Sequence, residues 1–218
     1  MRVLKRNKGI LIITTLITAL PILVGLILWN QLPEQVATHF NFAGEADGWS
    51  SKAFAVIGLP LILVGVHVIC TVATLADPRK QNISDKIFRL VLWITPCISL
   101  LVMGGTYAYA LGYDVDIARV TMILMGVVFV LLGNYMPKCR QNYTVGIKVP
   151  WTLADPENWN KTHRFAGWLW TGAGIVFLGM SLTGKASPAI MLGLILAVGL
   201  VPMIYSYVYY VRHGGKES

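Results

Sequence analysis

Residues 117–167 read IARVTMILMGVVFVLLGNYMPKCRQNYTVGIKVPWTLADPENWNKTHRFAG. The stretch changes character near Gly133. Before it, Ile117–Met136 is apolar almost throughout, and a run of about 20 such residues spans a bilayer's hydrocarbon core as a helix. After it, Gly133–Gly167 is polar, with Lys138, Arg140, Lys148, Lys161 and Arg164, the tryptophans Trp151 and Trp159, and several amide and hydroxyl side chains. A loop that merely joins two membrane helices needs none of this chemistry, and a connection so long and varied points to recognition.

The rest of the chain extends the membrane reading. Of 218 residues, 56% are hydrophobic and 13% charged, with a mean hydropathy of +0.63; a soluble domain carries about 25% charged residues. The apolar residues fall into six runs: 10–29, 53–76, 87–111, 117–136, 165–183 and 188–211. Only Gly112 to Asp116 separates the third from the fourth, which predicts a tight helical hairpin. The fold class expected is therefore an all-α polytopic membrane protein with six transmembrane helices. Residues 1–76 form a two-helix unit with a loop at 31–52, and residues 77–218 a four-helix unit with the polar segment 133–167.

Lysine and arginine collect on the cytoplasmic side of membrane proteins. The N-terminus, the second loop, the fourth loop and the C-terminal tail hold fifteen of them; Lys52, Arg119 and Lys185 are the three on the other side. Both termini are therefore expected inside, an N-in/C-in topology, with loop 31–52 outside. The net charge of +8 follows from this placement and from contact with anionic membrane lipid; direct binding of nucleic acid is not expected. The first run has a basic flank but exceeds a signal peptide's apolar region and lacks a small-residue cleavage site, so it reads as a retained anchor. Cys70 and Cys97 fall in spans and Cys139 on the reducing face, so no disulfide framework is expected.

Within the spans, Pro21, Pro60, Pro96 and Pro202 imply local kinks, more often plain packing than a cavity. The pairs Gly104/Ala108 and Gly193/Ala197 are spaced to let helices approach. His67 stands apart. An ionisable group at that depth is a functional candidate; the plain alternative is a neutral imidazole bonded to a hydroxyl or carbonyl of a facing helix. Arg119 is expected to anchor the interface and pair with Asp116.

The outer loop alternates from Val36 to Phe42 as a short strand does, and Gly44 and Asp47-Gly48 are turn residues. His39, Glu45 and Asp47 could bind a metal, but scattered ligands point rather to a folded loop, and no metal or cofactor is expected. In the inner segment, Asp155-Pro156-Glu157 is a helix start, with Asp as cap and Pro in the first turn. Trp159, Thr162 or His163, Ala166 and Trp170 then share a face, while Trp151, Trp159 and Trp168 suit the headgroup zone. Gly146 and Pro150 prevent a helix through 142–152. Two readings stay open: an interfacial anchor belt, or a docking surface in which Lys138, Arg140, Lys148 and Arg164 surround aromatic platforms. No catalytic pattern appears, so an enzyme is not expected.

The segment resembles the signature of the SdpI-type bacterial membrane proteins. The resemblance runs through Gly133, Asn134, Tyr135, Pro137, Lys138, Arg140 and Asn142, then Gly146, Ile147, Lys148, Pro150, Trp151, Thr152 and Leu153, then Trp159, Lys161, Thr162, His163, Arg164 and Gly167. The outer loop is similar to the N-terminal domain that often accompanies that family, at Leu32-Pro33, His39, Asn41, Gly44, Asp47, Ser51 and Lys52. Lys148 replaces a more usual Arg and Ala166 a frequent Gly. The resemblance implies a plasma-membrane immunity protein that protects its cell from a secreted peptide toxin, without catalysis. It also implies, for some members, a signalling receptor that holds a cytoplasmic repressor protein at the membrane. The alternative class is a small transporter or channel-like protein, which His67 and the intramembrane prolines would serve.

Overall fold

The computed structural model describes residues 2–184 and 187–213; Lys185 and Lys216, counted in the charge asymmetry, lie outside them. Helix α1 is Arg2–Ile27, followed by strands β1 (Gln35–Phe40) and β2 (Ala46–Ser51). A π-helical turn, Phe54–Gly58, leads into α2 (Leu59–Ala76); α3 is Asp85–Ala110 and α4 Ile117–Tyr135. A short α5 (Pro150–Ala154) precedes α6 (Pro156–Thr183) and α7 (Pro188–His213). Among the described residues, six helices are long and apolar enough to cross a membrane, as the six runs predict. The chain is thus a mostly helical, multi-pass protein with a single small sheet among the described residues.

The helix ends follow from local chemistry. The π turn sits directly before Pro60, where an ordinary turn would miss an N–H. Asp77-Pro78 stops α2, because proline cannot continue a helix. Asp116 caps α4 by accepting the main-chain N–H of Arg119 at 2.9 Å, so the expected pairing of these residues runs through the backbone. Asp155 caps α6, accepting from Glu157 N–H at 2.7 Å; the fifth long helix thus starts where the Asp-Pro-Glu signature places it.

Two compact units emerge: Met1–Val72 with Phe88–Leu124, and Ala73–Ile87 with Met125–Ser218. In the first, Leu32, Val56, Met103 and Tyr107 form a buried cluster. Strands β1 and β2 pair antiparallel, with partners Ala37/Trp49, His39/Gly48 and Phe40/Ala46. Each strand therefore carries one extra residue, Thr38 in β1 and Asp47 in β2. This corrects the simple alternation expected for 36–42: Val36 and Ala37 are both buried, because the bulge interrupts the pleat, and the strand ends at Phe40. It also places Asp47-Gly48 inside β2, leaving the turn to Asn41–Glu45. There Asn41 Oδ1 accepts from Ala43 and Glu45 N–H, and Gly44 turns with φ +85°.

In the second unit, α4 and α6 approach through glycine. A Cβ on Gly126 would meet the Gly174 carbonyl at 3.0 Å, and one on Gly133 the Gly167 carbonyl at 2.8 Å. The close contact thus uses pairs spaced by seven residues. The i,i+4 pairs expected to do this do not: a Cβ on Gly104 or Gly193 meets nothing within 4 Å. Those glycines share the spacing of a contact motif without a facing helix at that point.

Candidate functional site

The polar segment is a folded connector. After a 3-10 turn at Met136–Lys138, Asn142 organises the chain. Its Oδ1 accepts from Thr144 and Val145 N–H at 2.9 and 2.7 Å, and its Nδ2 donates to the Arg140 and Val145 carbonyls at 2.8 and 3.1 Å. This amide is buried with its oxygen and nitrogen each bonded twice, as a buried polar group must be. Gly146 follows at φ +119°. A Cβ there would run into His163 Nε2 and come within 3.1 Å of the Trp159 ring, so both conformation and space demand glycine.

His163 and Trp159 form the floor of this fold. The imidazole stacks on the indole with centroids 3.9 Å apart. Its Nε2 accepts from Ile147 N–H at 3.0 Å, which leaves Nδ1–H to donate to the Trp159 carbonyl at 2.8 Å. The ring is thereby held neutral in one tautomer. Trp159 Nε1 donates to the Cys139 carbonyl at 2.8 Å. Burial pushes the Cys139 thiol up to about 11, so at neutral pH it is protonated and unreactive. Both nitrogens of His163 serve the main chain, and neither is presented to a substrate.

Thr152 closes α5. Its hydroxyl donates to the Ile147 carbonyl at 2.8 Å and accepts from Val149 N–H at 3.2 Å. Trp151 Nε1 donates to Ser206 Oγ at 2.7 Å, and Asn158 Nδ2 to the Ser206 carbonyl at 3.0 Å. Thr162 donates to Asn158 Oδ1 at 3.0 Å. One serine of α7 thus ties α5 and α6 together.

Residues outside the motif hold it from the other side. Asp77 is 3% exposed. Its Oδ2 accepts from Tyr143 N–H at 2.8 Å and Thr144 Oγ1 at 2.6 Å, and its Oδ1 from Arg79 N–H at 2.7 Å. A buried carboxylate is tolerable when hydrogen-bonded in this way. The Arg79 guanidinium donates to Gln141 Oε1 and sits 5.0 Å over the Tyr143 ring. Asn82 Nδ2 donates to the Gln141 carbonyl at 2.7 Å, while Gln141 Nε2 reaches the Thr152 and Leu153 carbonyls at 2.8 and 3.0 Å. Sequence reading missed Asp77, Asn82 and Gln141 and saw in Arg79 only a topology charge. The available signal was an acid at Asp77 beside the end of an apolar run.

The motif therefore divides. Asn142, Thr152, Trp159, Thr162 and His163 are buried; Tyr135, Gly146 and Trp151 are half-buried; Asn134, Pro137, Lys138, Arg140, Lys148, Pro150, Lys161 and Arg164 are exposed. Trp159, 0% exposed, is not a headgroup residue as its type suggested. It is consumed by the connector's interior, whereas Trp168 is exposed. Several cations have local partners: Lys138 Nζ donates to Asn134 Oδ1 at 3.1 Å, Lys148 Nζ to the Thr144 carbonyl at 2.9 Å, and Lys161 pairs with Glu157 at 3.0 Å.

In the first unit, His39 Nδ1 lies 2.5 Å from Asp47 Oδ1, and Asn41 Nδ2 donates to Glu45 Oε2 at 3.0 Å. His39, Glu45 and Asp47 are thus parts of the hairpin's own bonding, and no group of three metal-binding side chains occurs among the described residues. Lys52 is buried and bonds to Glu34 Oε1 at 2.7 Å and the Leu32 carbonyl at 3.2 Å, so it joins the hairpin to its base instead of facing outward. His67 is 0% exposed, with Nε2 3.3 Å from Thr14 Oγ1 of α1, the hydroxyl of a facing helix.

Six apolar spans, a bulged hairpin after the first and a hydrogen-bonded connector before the fifth define a multi-pass membrane protein built around its loops. The chain is similar to the SdpI-type family: residues 138–206 match the model of the SdpI/YfhL protein family. Residues 16–64 match a domain of unknown function, DUF1648, which covers the hairpin and part of each flanking span. Over 211 residues the chain is 25% identical to the immunity protein SdpI of Bacillus subtilis (strain 168), covering 94% of this chain and 98% of that protein. No solved structure matches.

Proposed function

We propose that the chain is a membrane immunity protein of the bacterial plasma membrane that protects its cell from a secreted antimicrobial peptide by binding rather than catalysis. The observation that carries this reading is similarity over nearly the whole length to a protein named for immunity. Both termini and the connector lie on the cytoplasmic side, in keeping with the basic residues of 133–167, and the β1–β2 hairpin faces outward with His39, Asn41 and Asp47. The exposed cations Arg140, Lys148 and Arg164, mounted on the rigid connector, suit an acidic surface of a cytoplasmic partner such as a repressor protein.

The test is survival. A peptide-sensitive bacterium expressing the chain is challenged with the peptide against which the SdpI protein of Bacillus subtilis protects. Survival above the empty-vector strain at matched membrane expression supports the reading; equal killing across a panel of such peptides overturns it.

A further inference from the structure

Polar side chains recur on the buried face of α1. Asn7, Thr14 and Thr18 are each 0% exposed, at steps of seven and four residues that keep one helix face. Residues of α2 and α3 meet them in the same compact unit. Arg89 Nε donates to Asn7 Oδ1 at 2.8 Å, His67 touches Thr14, and Ser99 Oγ donates to the Thr18 carbonyl at 2.9 Å. Tyr107 donates to the Pro21 carbonyl at 3.0 Å. The file from Asn7 to Pro21 covers about 21 Å of helix at 1.5 Å per residue.

The direction of each bond gives the file its character. Thr14, Thr18 and Thr71 hydroxyls donate to the Ile10, Thr14 and His67 carbonyls at 2.8 Å each. Ser99 is spent on a carbonyl in the same way. Every one of these hydroxyls has used its only proton and retains lone pairs. Thr14 can then only accept from His67, which fixes Nε2–H as the donor and leaves Nδ1 as a bare lone pair. That Nδ1 is buried with no hydrogen-bond partner. The two other helical histidines differ: His163 and His213 each place Nδ1 on the carbonyl four residues back, at 2.8 and 3.1 Å.

We propose that His67 Nδ1 is an intramembrane proton-binding site and that this polar file passes protons across the first unit. Between Arg89 at Asn7 and Tyr107 at Pro21, the file offers oxygen lone pairs and one basic nitrogen, a lining that favours a cation over an anion. His67 is its basic group, and protonation there forms one N–H bond at Nδ1 as one O–H bond of a donating hydronium breaks. The charged groups of the elements around it are remote along their helices: Lys5, Arg6 and Lys8 near the start of α1, and Asp85, Lys86 and Arg89 in the first turns of α3. Tyr107 lies toward the other end of α3, and α2 carries no Asp, Glu, Lys or Arg, its other titratable group being Cys70. This inference does not rest on the immunity reading, since proton movement is scored without any peptide.

The experiment uses the full chain in liposomes. Solid-state NMR with ring-labelled histidine reads the tautomer and charge of His67, and a pH-sensitive dye reads dissipation of an imposed proton gradient. Expected are a neutral Nε2–H ring that gains a proton at Nδ1 on acidification, and dye-reported flux that falls to the protein-free level in His67→Gln. Gln keeps an N–H for Thr14 and cannot be protonated; Thr14→Ser, which retains the acceptor, should keep the flux and guards against a folding artefact. A His67 signal that does not change on acidification overturns the proton site. Titration without flux, or flux retained by His67→Gln, overturns the passage of protons. Flux that follows sodium or potassium gradients instead overturns the choice of ligand.

Discussion

Gly133 of α4 and Gly167 of α6 lie backbone to backbone: a Cβ on either would meet the other's carbonyl oxygen at 2.8 Å. With Gly126 and Gly174 they form a seam one heptad step long, so the approach of these helices depends on four missing methyl groups. In membranes, where helix association draws on close packing, overfilling such a seam is costly. Gly133→Val should lower unfolding stability by about 1–3 kcal/mol, read from detergent-induced unfolding. Gly104→Val, where a Cβ meets nothing within 4 Å, should change it little. Equal effects of the two would sink the seam.

Asp77 is the anchor of the connector. Asp77→Ala removes the acceptor of the Tyr143 and Arg79 N–H groups and leaves the Thr144 hydroxyl only the Ala73 carbonyl at 3.3 Å, at about 1–3 kcal/mol for each buried group left unpaired. The segment 140–148 should loosen and Cys139, whose thiol burial holds near 11, should become reactive. Maleimide labelling at neutral pH follows this directly: slow in the wild type and faster in Asp77→Ala, because exposure returns the thiol toward its ordinary range and raises the thiolate fraction. Unchanged Cys139 labelling would mean the connector is held elsewhere.

Scaffold and fringe should separate genetically. Trp159→Ala and Thr152→Ala remove buried parts and should lower the amount of folded protein, the tryptophan by about 3–5 kcal/mol. Arg140→Ala and Arg164→Ala touch exposed side chains, should change stability by no more than about 0.5 kcal/mol, and should lose partner recruitment at normal expression. Retained recruitment in the double arginine variant would confine the motif to a structural role.

The sidedness expected from charge is testable with two cysteines. Ser51, exposed at the end of β2, and Lys148, exposed on the connector, are replaced singly in intact cells and treated with a membrane-impermeant thiol reagent. Cysteine at 51 should label and cysteine at 148 should label only after lysis. The reverse pattern inverts the topology.

Much of the fold was legible because it rests on local rules. Span length, the short connection between α3 and α4 and the Asp155 cap all follow from residues near one another in the chain. What escaped is set by partners far apart in sequence. Asp77 meets Thr144 across 67 positions, and no local pattern marks that contact. Trp159 looked interfacial because residue type gives an average environment, while its burial depends on how the connector folds back. The glycine seam was hidden by spacing: seven-residue pairs on α4 and α6 matter, and the i,i+4 pairs that attract the eye face open space. His67 was legible as an oddity, but the direction of its bonds required Thr14.

The two bulges of the hairpin behave like a frameshift and its suppressor. Thr38 adds a residue to β1 and Asp47 adds one to β2, so beyond them the strands are back in phase. Deleting either alone would turn the remaining side chains over, setting His39 or Trp49 on the wrong face. Deleting both would restore the reading frame of the ladder. Lineages of this hairpin should therefore change length by compensated pairs, and a relative short by one residue in β1 should be short by one in β2.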